Sequence, residues 1–489
     1  MATQPATSGP GAPRPKLSQL YKKREKVHPK AVKGNFRRFK WFVLFVTLGI
    51  YYITPWIRWD RGPFAPDQAV LVDLAHRRFY FGPIEIWPQE FYYVAGLLIM
   101  AGLGLFLVTT TFGRAWCGYA CPQTVWTDLY MTVERWIEGD RNARIRLDSA
   151  PMSVSKFLKR LSKHSVWIVI AVLTGGAWVF YFADAPTLFA QIVTGTAPFV
   201  AYGAIALLTF TTYWLAGHMR EQFCIYMCPW PRIQTAMLDE DSFVVTYKAW
   251  RGEPRGSKKE QEKAPDAIGD CVDCMACVNV CPMGIDIRNG PQIECITCAL
   301  CIDACNDTMD RIGRPRDLIG YTTLKRDVAE SRGEVLPPIW RVLLRPRVLL
   351  YFAVWTAIGL AMLFTLAGRA HMGISIAQER NPVYVRLSDG QIRNSYTVKL
   401  LNMENRPRDF EVSVRGLRGA ALTDPVAGTE PAQSIRLSVR PDGVDSFRLQ
   451  VRVPESSIKQ EFSDLQFHMR AIDGSGDTME MARFTSPFP

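Results

Sequence analysis

Five stretches of this chain are apolar for long enough to cross a bilayer, and that limits the fold more than any other feature. A hydrocarbon core takes about 20 apolar residues of helix. Residues 39–57, 91–112, 165–183, 197–216 and 348–367 reach that length, and none carries a charge in its middle. Trp41, Trp56, Trp87, Tyr92, Trp167, Tyr213 and Trp214 stand near their ends, as interface belts do. Buried core helices of a large soluble enzyme would not need such belts. Over 489 residues, 48% are hydrophobic and 21% charged, which looks like an ordinary soluble protein. That average hides an alternation of very apolar and very polar segments.

Lys and Arg set the orientation. Residues 1–40 hold 11 of them against the single acid Glu25. Residues 113–164 are again basic, with Arg114, Arg135, Arg141, Arg144, Arg146, Lys156, Lys159, Arg160 and Lys163. The segment 58–90 has only four basic residues, and 185–196 has no charge. The expected order is therefore a cytoplasmic tail (1–38), an outer loop (58–90), a cytoplasmic loop (113–164), a cytoplasmic segment (217–263), a linker (315–347) and an outer domain (375–489). The net charge of +12 is mostly this topology signal. A basic tail beside a membrane helix points to anionic lipid, not to nucleic acid.

All 12 cysteines fall in short motifs. Cys271, Cys274, Cys277 and Cys281 have the spacing C-x2-C-x2-C-x3-C, followed by Pro282. Cys295, Cys298, Cys301 and Cys305 repeat it. This is the bacterial ferredoxin run, in which the fourth cysteine serves the other cluster. The spacing predicts one [4Fe-4S] cluster on Cys271, Cys274, Cys277 and Cys305, and a second on Cys295, Cys298, Cys301 and Cys281. The expected domain is a two-cluster ferredoxin-like α+β fold over 264–314. Zinc sites close at four ligands and do not account for the doubling. Asn306 stands where the second run usually has proline, which would loosen a turn there without removing a ligand.

The other four cysteines form two matched pairs. Cys117 and Cys121 read C-G-Y-A-C-P, and Cys224 and Cys228 read C-I-Y-M-C-P. Each pair follows the cytoplasmic end of a membrane helix. Residues i and i+4 share a helix face, so each pair presents two sulfurs to one ion. Soft thiolates select Cu(I), zinc or iron–sulfur centres, and the spacing does not choose among them. His218, Met219 and Met227 flank the second pair as further candidate ligands. Val125, Leu129, Val133 and Trp136 recur at helical spacing, which predicts an amphipathic helix on the cytoplasmic membrane face with Asp128, Glu134 and Arg135 turned away from it.

No dinucleotide fingerprint, Walker sequence or c-type haem motif is present. A separate protein or a quinol must supply electrons. Residues 375–489 lack cysteine and alternate in seven short runs: Val383–Leu387, Ser395–Met403, Phe410–Arg415, Ser434–Val439, Ser446–Val453, Leu465–Ile472 and Glu480–Phe484. That pattern predicts an all-β immunoglobulin-like sandwich serving as a docking module. His468 sits in one strand, in a packing or surface role.

These motifs carry a resemblance. The sequence GRAWCGYACPQTVWTDLY around Cys117, the stretch MCPWPRIQTAMLDEDSFVVTYKAWRGEPRG from Met227, the doubled run and the C-terminal sandwich resemble the cytochrome c oxidase accessory family known as CcoG, FixG or RdxA. The resemblance implies a multi-pass protein of the bacterial inner membrane with a periplasmic C-terminal domain. It implies a role in cbb3-type oxidase biogenesis, with reduction of Cu(II) to Cu(I) in the cytoplasm, and copper transport and oxidase assembly proteins as partners. Cys117, Cys121, Cys224 and Cys228 would then handle copper as substrate, supplied with electrons by an unknown donor through the clusters. Two other readings compete: a quinol dehydrogenase subunit of a respiratory reductase, which also uses paired C-x3-C-P motifs, and a non-enzymatic assembly scaffold.

Overall fold

The computed structural model describes residues 26–263, 267–336, 338–404 and 406–487. Most of the basic tail and Ala264 lie outside the described residues. The chain divides into two compact units. One comprises residues up to 52, 101–178 and 198–354; the other comprises 53–100, 179–197 and 355 onward. In chain order the first eight helices are α1 (Asn35–Ile53), α2 (Tyr92–Phe112), α3 (Ala115–Tyr119), α4 (Pro122–Glu138), α5 (Arg141–Ser149), α6 (Val154–Val179), α7 (Ala185–Thr194) and α8 (Phe199–Thr212).

Among the described residues, four helices are long and apolar enough to cross a membrane: Asn35–Trp56, Pro88–Phe112, Phe199–Met219 and Pro346–Ala367. The stretch expected as the third span is the C-terminal part of α6. That helix begins well before the apolar run, and Lys156, Lys159, Arg160 and Lys163 in its first half dilute its hydropathy. The charge-free segment after it is not a loop but holds α7, where Asp184 accepts from the backbone N–H of Thr187 at 3.2 Å.

In the first unit, α1 is anchored at its start by a carboxylate from the cysteine-rich region. Asp303 accepts from the backbone N–H groups of Phe36 (3.3 Å) and Arg37 (2.8 Å), which a helix start leaves without partners. Gly34 makes room for it, since a Cβ there would lie 2.1 Å from the Asp303 carboxyl carbon. Arg37 then donates to both oxygens of buried Asp128 on α4, at 2.9 and 2.8 Å. Burial alone would raise the Asp128 pKa, yet Lys40 and Arg37 hold it below the usual carboxylate value.

The reading of α4 as a surface helix is corrected by its environment. Asp128, Glu134 and Glu138 are buried, whereas Trp136 is 80% exposed. The helix packs inside the protein because its acids meet cations from three other segments. Glu134 pairs with Arg144 of α5, with Arg220 at 2.5 Å and with Lys163 of α6 at 3.7 Å. Glu138 meets Lys163 at 3.0 Å and Arg160 at 2.9 Å. Periodicity marks which residues share a face; it does not say whether the polar face meets water or buried cations.

In the second unit, the expected outer loop 58–90 carries a three-stranded antiparallel sheet of β1 (Val70–Asp73), β2 (Arg78–Phe81) and β3 (Ile84–Ile86). The first unit contains the two-stranded pair β4 (Phe243–Tyr247) and β5 (Ile319–Thr323). The C-terminal region holds β6 (Met372–Gln378), β7 (Val385–Arg386), β8 (Gln391–Asn402), β9 (Arg408–Arg415), β10 (Ala421–Thr423), β11 (Ser434–Val439), β12 (Gly443–Pro454), β13 (Phe462–Ala471) and β14 (Asp477–Thr485). They form sheets of order β10-β12-β8-β6, with β7 on β8, and β11-β9-β13-β14. Alternate residues of β8 and β13 point inward, and Tyr396, Val398, Leu400, Phe410, Leu449 and Phe467 make a fully buried core. Sequence alternation missed β6, which continues from the last membrane helix, and the three-residue β10.

Glu134 gives a pH signature. Burial pushes its pKa up, but Arg220, Arg144 and Lys163 bring it down from 4.5 to about 2. A folded pKa below the unfolded one stabilises the fold above pH ~4.5, and that contribution is lost as pH falls toward about 2. Glu134→Ala is expected to destabilise the protein by about 3 kcal/mol at pH 7. In denaturant titrations followed by tryptophan fluorescence, the gap from wild type should close as pH approaches 2.

Candidate functional site

The two cysteine runs fold as one local structure used twice. Asp273 and Met275 in the first run have positive φ (50° and 57°), and Thr297 and Ala299 at the matching places in the second have 55° and 58°. Four non-glycine residues in the left-handed region cost about 1 kcal/mol or more each. The turns they make wrap successive cysteines around a common centre. Each run then enters a helix, Ala276–Val280 and Leu300–Ile312. The second helix runs on through Asn306, so no turn exists there to be loosened. Proline at that place would break the helix, and the Asn306 side chain instead accepts from the backbone N–H of Asp317 at 2.9 Å.

The sulfurs gather in two exchanged sets. Cys271, Cys274, Cys277 and Cys305 line one small cavity with Tyr247, Met309, Leu318 and Ile319. Cys281, Cys295, Cys298 and Cys301 line another with Val245, Ile287 and Ile296, and Cys277 borders both. Each fourth cysteine has thus left its own run for the other, as its spacing predicts. All eight are free thiols. Burial pushes the pKa of Cys277 and Cys295 up to about 11 and of Cys281 and Cys305 to about 12. Cys301 rises well above its usual value for the same reason, with neighbouring thiols adding to it. Thiols gathered four to a cavity in largely apolar surroundings, with Cys274 alone of the eight exposed, fit a thiolate-ligated iron–sulfur cluster that releases their protons on binding.

The two C-x3-C-P pairs, more than 100 residues apart, come together as a third set. Cys117 has Cys121 and Cys228 as charge neighbours, and Cys224 has Cys121, Cys117 and Cys228. The two pairs thus lie within electrostatic range of one another. Cys117 sits in α3 and donates to Gln234 Oε1 at 2.9 Å. Its carbonyl accepts from Thr124 Oγ1 at 2.6 Å. Cys224 lies where α8 widens into two π-helical segments, Tyr213–Met219 and Phe223–Met227. Such segments are frequent at functional sites. Burial pushes Cys117 up to about 11 and Cys224 to about 12, and it also raises Cys121.

This third set abuts the second run. Gly118 approaches so closely that a Cβ there would lie 2.6 Å from the Ile296 carbonyl oxygen. Tyr119 donates to the Cys298 carbonyl at 3.1 Å. Buried Arg114 lowers the pKa of Cys117, Cys224 and Cys295 against the effect of burial. Its guanidinium donates to the Ile293 carbonyl, its Nε has no hydrogen-bond partner, and no ion pair joins it to a carboxylate among the described residues. A buried cation facing thiols is the environment that stabilises thiolates and anionic metal–thiolate centres.

Of the flanking candidates, His218 packs among His164, Trp167, Tyr213 and Trp214, and Met227 is exposed. The His468 side chain bonds Asp477 at 2.9 Å. Gln234 and Arg114 escaped sequence reading, since neither is a usual metal ligand and only their nearness to the thiols singles them out.

Profiles of known families match three segments: residues 94–140 a "4Fe-4S binding domain", residues 219–324 a "4Fe-4S dicluster domain", and residues 362–487 the "IG-like fold at C-terminal of FixG". The fold and the thiol sets define a membrane iron–sulfur protein of electron transfer. The chain is 55% identical over 494 residues to the nitrogen fixation protein FixG of Rhizobium meliloti, covering 96% of this chain and 94% of that one. It is 58% identical to RdxB of Cereibacter sphaeroides over 84% of this chain and 86% of that one. RdxA of the same organism is 53% identical over 94% of this chain and 95% of its own length. The chain belongs to the FixG/RdxA family.

The exchanged sets give a spectroscopic expectation. Cys281→Ser and Cys298→Ser should abolish the same EPR signal in reduced protein, while Cys305→Ser removes the signal shared with Cys271→Ser. Loss of one signal by both Cys281→Ser and Cys271→Ser alone would contradict the grouping.

Proposed function

We propose that this protein reduces Cu(II) to Cu(I) on the cytoplasmic side of the bacterial inner membrane, supplying copper for cbb3-type oxidase biogenesis. One observation carries the reading: the Cys117–Cys121 and Cys224–Cys228 pairs lie within electrostatic range of one another, and Gly118 and Tyr119 beside Cys117 pack against the Ile296–Cys298 backbone of the ferredoxin-like region. Two [4Fe-4S] clusters on the exchanged sets would supply electrons one at a time. The reaction needs one electron per copper ion and no general acid or base. Four thiols suit Cu(I) better than Cu(II), so the group that receives the substrate also stabilises the product. Arg114 offsets the charge of the thiolates, and Gln234 holds the Cys117 sulfur in place.

The topology follows from the charge bias. The tail and cysteine sets face the cytoplasm, where thiols stay reduced. Helix α6 serves as a fifth span, because Ser165 onward is apolar and its basic first half matches the cytoplasmic side. The C-terminal sandwich lies in the periplasm as a docking module for oxidase assembly proteins, and copper transport proteins receive the product.

Changing Cys117, Cys121, Cys224 and Cys228 together to alanine is expected to cut cupric reduction by at least tenfold, read with a Cu(I) chelator. Iron and sulfide content at the other eight cysteines should stay unchanged. Intact cupric reduction in that cluster-replete variant would sink the proposal.

A further inference from the structure

The thiol sets need a source of electrons, and the first unit holds a cavity suited to one. It has a volume of about 380 Å³ and lies beside the N-terminal half of α6 and the end of the α8 continuation. That size is ordinary for a small-molecule site, about 300–1,000 Å³. His164, Trp167 and His218 contribute rings to its wall. His164 and His218 stack at 5.8 Å with an interplanar angle of 12°. Trp167 stands edge-on to both, at 5.3 and 6.0 Å. Tyr213 Oη and His164 Nδ1 are 2.9 Å apart. Lys26, Arg160, Lys163 and Arg220 add four cations to the lining, Lys163 and Arg220 paired with Glu134 and Lys26 and Arg160 with Asp148. Arg220 and Glu221 also wall the neighbouring cavity, which Cys224 and Ile296 line.

We infer that this cavity binds the head group of a membrane hydroquinone, the electron donor for the redox reading proposed above, on which the inference rests. Three features favour that ligand. The cavity sits at the polar ends of two apolar helices, within reach of a head group whose tail stays in lipid. The imidazoles of His164 and His218 on its wall suit a flat ring with two hydroxyl groups, while buried Trp167 backs them under the Lys163 and Arg220 cations. Its cations stabilise a ring oxygen as it loses its proton. Oxidation breaks two O–H bonds and leaves the quinone. The two protons pass to the imidazoles of His164 and His218 and on to cytoplasmic water. The two electrons leave singly for the iron–sulfur centres beyond Cys224. A lipid phosphate would use the four cations but has no use for the rings.

Full-length protein in phosphatidylcholine nanodiscs tests the inference, with decylubiquinone as the probe. Calorimetry should show saturable 1:1 binding in wild type, weakened about tenfold in His218→Leu and in His164→Leu. Tyr213→Phe keeps the ring, removes the hydroxyl next to His164 and should weaken binding about threefold, which covers misfolding of the histidine variants. Decylubiquinol should reduce the EPR-visible centres at least tenfold more slowly in the histidine variants, while dithionite reduces them as in wild type. No binding by wild type, or equal affinity in all three variants, overturns the inference. So does displacement of the quinone by phosphatidylglycerol, which would assign the cavity to a lipid phosphate. Copper reduction by dithionite-reduced protein is measured beside these. Its loss while quinol still reduces the centres would remove the copper reading and leave the cavity assignment standing.

Discussion

Asp303 lies between Cys301 and Cys305 on one helix, and its carboxylate closes the start of the first membrane helix. Hydrogen bonds to a charged group are worth roughly 1.5–3 kcal/mol each when the alternative is a buried unpaired donor. The negative charge also suits the positive end of the α1 dipole. This contact ties cysteines of both ferredoxin-like sets to a membrane helix, because Cys301 and Cys305 belong to different sets and flank the same anchor. Arg37 extends the clamp one step further, from α1 to Asp128 on α4. The thiol pair that begins at Cys117 ends at Cys121, the residue directly before α4, so the clamp also steadies these sulfurs.

Burial of charge organises much of the rest of the first unit. Glu134 and Glu138 meet Arg144, Arg160, Lys163 and Arg220 from three segments, and none of these acids faces water. A buried ion network of this kind is poor at adding net stability but severe on any arrangement that leaves one member alone. It therefore fixes how α4, α5, α6 and the turn at Arg220 meet. That turn matters chemically. Arg220 takes φ 46° and leads into the π-helical segment that carries Cys224, and it also walls the cavity beside His164 and His218. One network thus positions a thiol and shapes the place from which electrons are proposed to arrive.

Local patterns made the ligands legible. The spacing of Cys271 to Cys281 and of Cys295 to Cys305 encodes wrapping turns, which appear in the backbone, and an exchanged fourth cysteine, which matches the linings of the two cavities. Alternation marked seven runs of the C-terminal sandwich, because one face of each strand is buried. It missed β10, which is too short to show a period, and β6, whose apolar residues merge with the preceding membrane helix. It also misjudged α4. Helical periodicity detects two faces, and the helix was placed on the membrane surface when its polar face is buried against cations of neighbouring segments.

The sequence by itself determined which residues can carry electrons, which stretches can enter a membrane and that the chain repeats a thiol-pair unit. Those properties live in short windows, where covalent spacing sets geometry. Only the tertiary structure decided that the Cys117–Cys121 and Cys224–Cys228 pairs come near one another, that Arg114 and Gln234 attend them, and that Gly34 admits Asp303 to α1. Each of these joins residues about 100 or more apart in the chain. Such contacts arise from packing and buried charge, which leave no period in the sequence to be read.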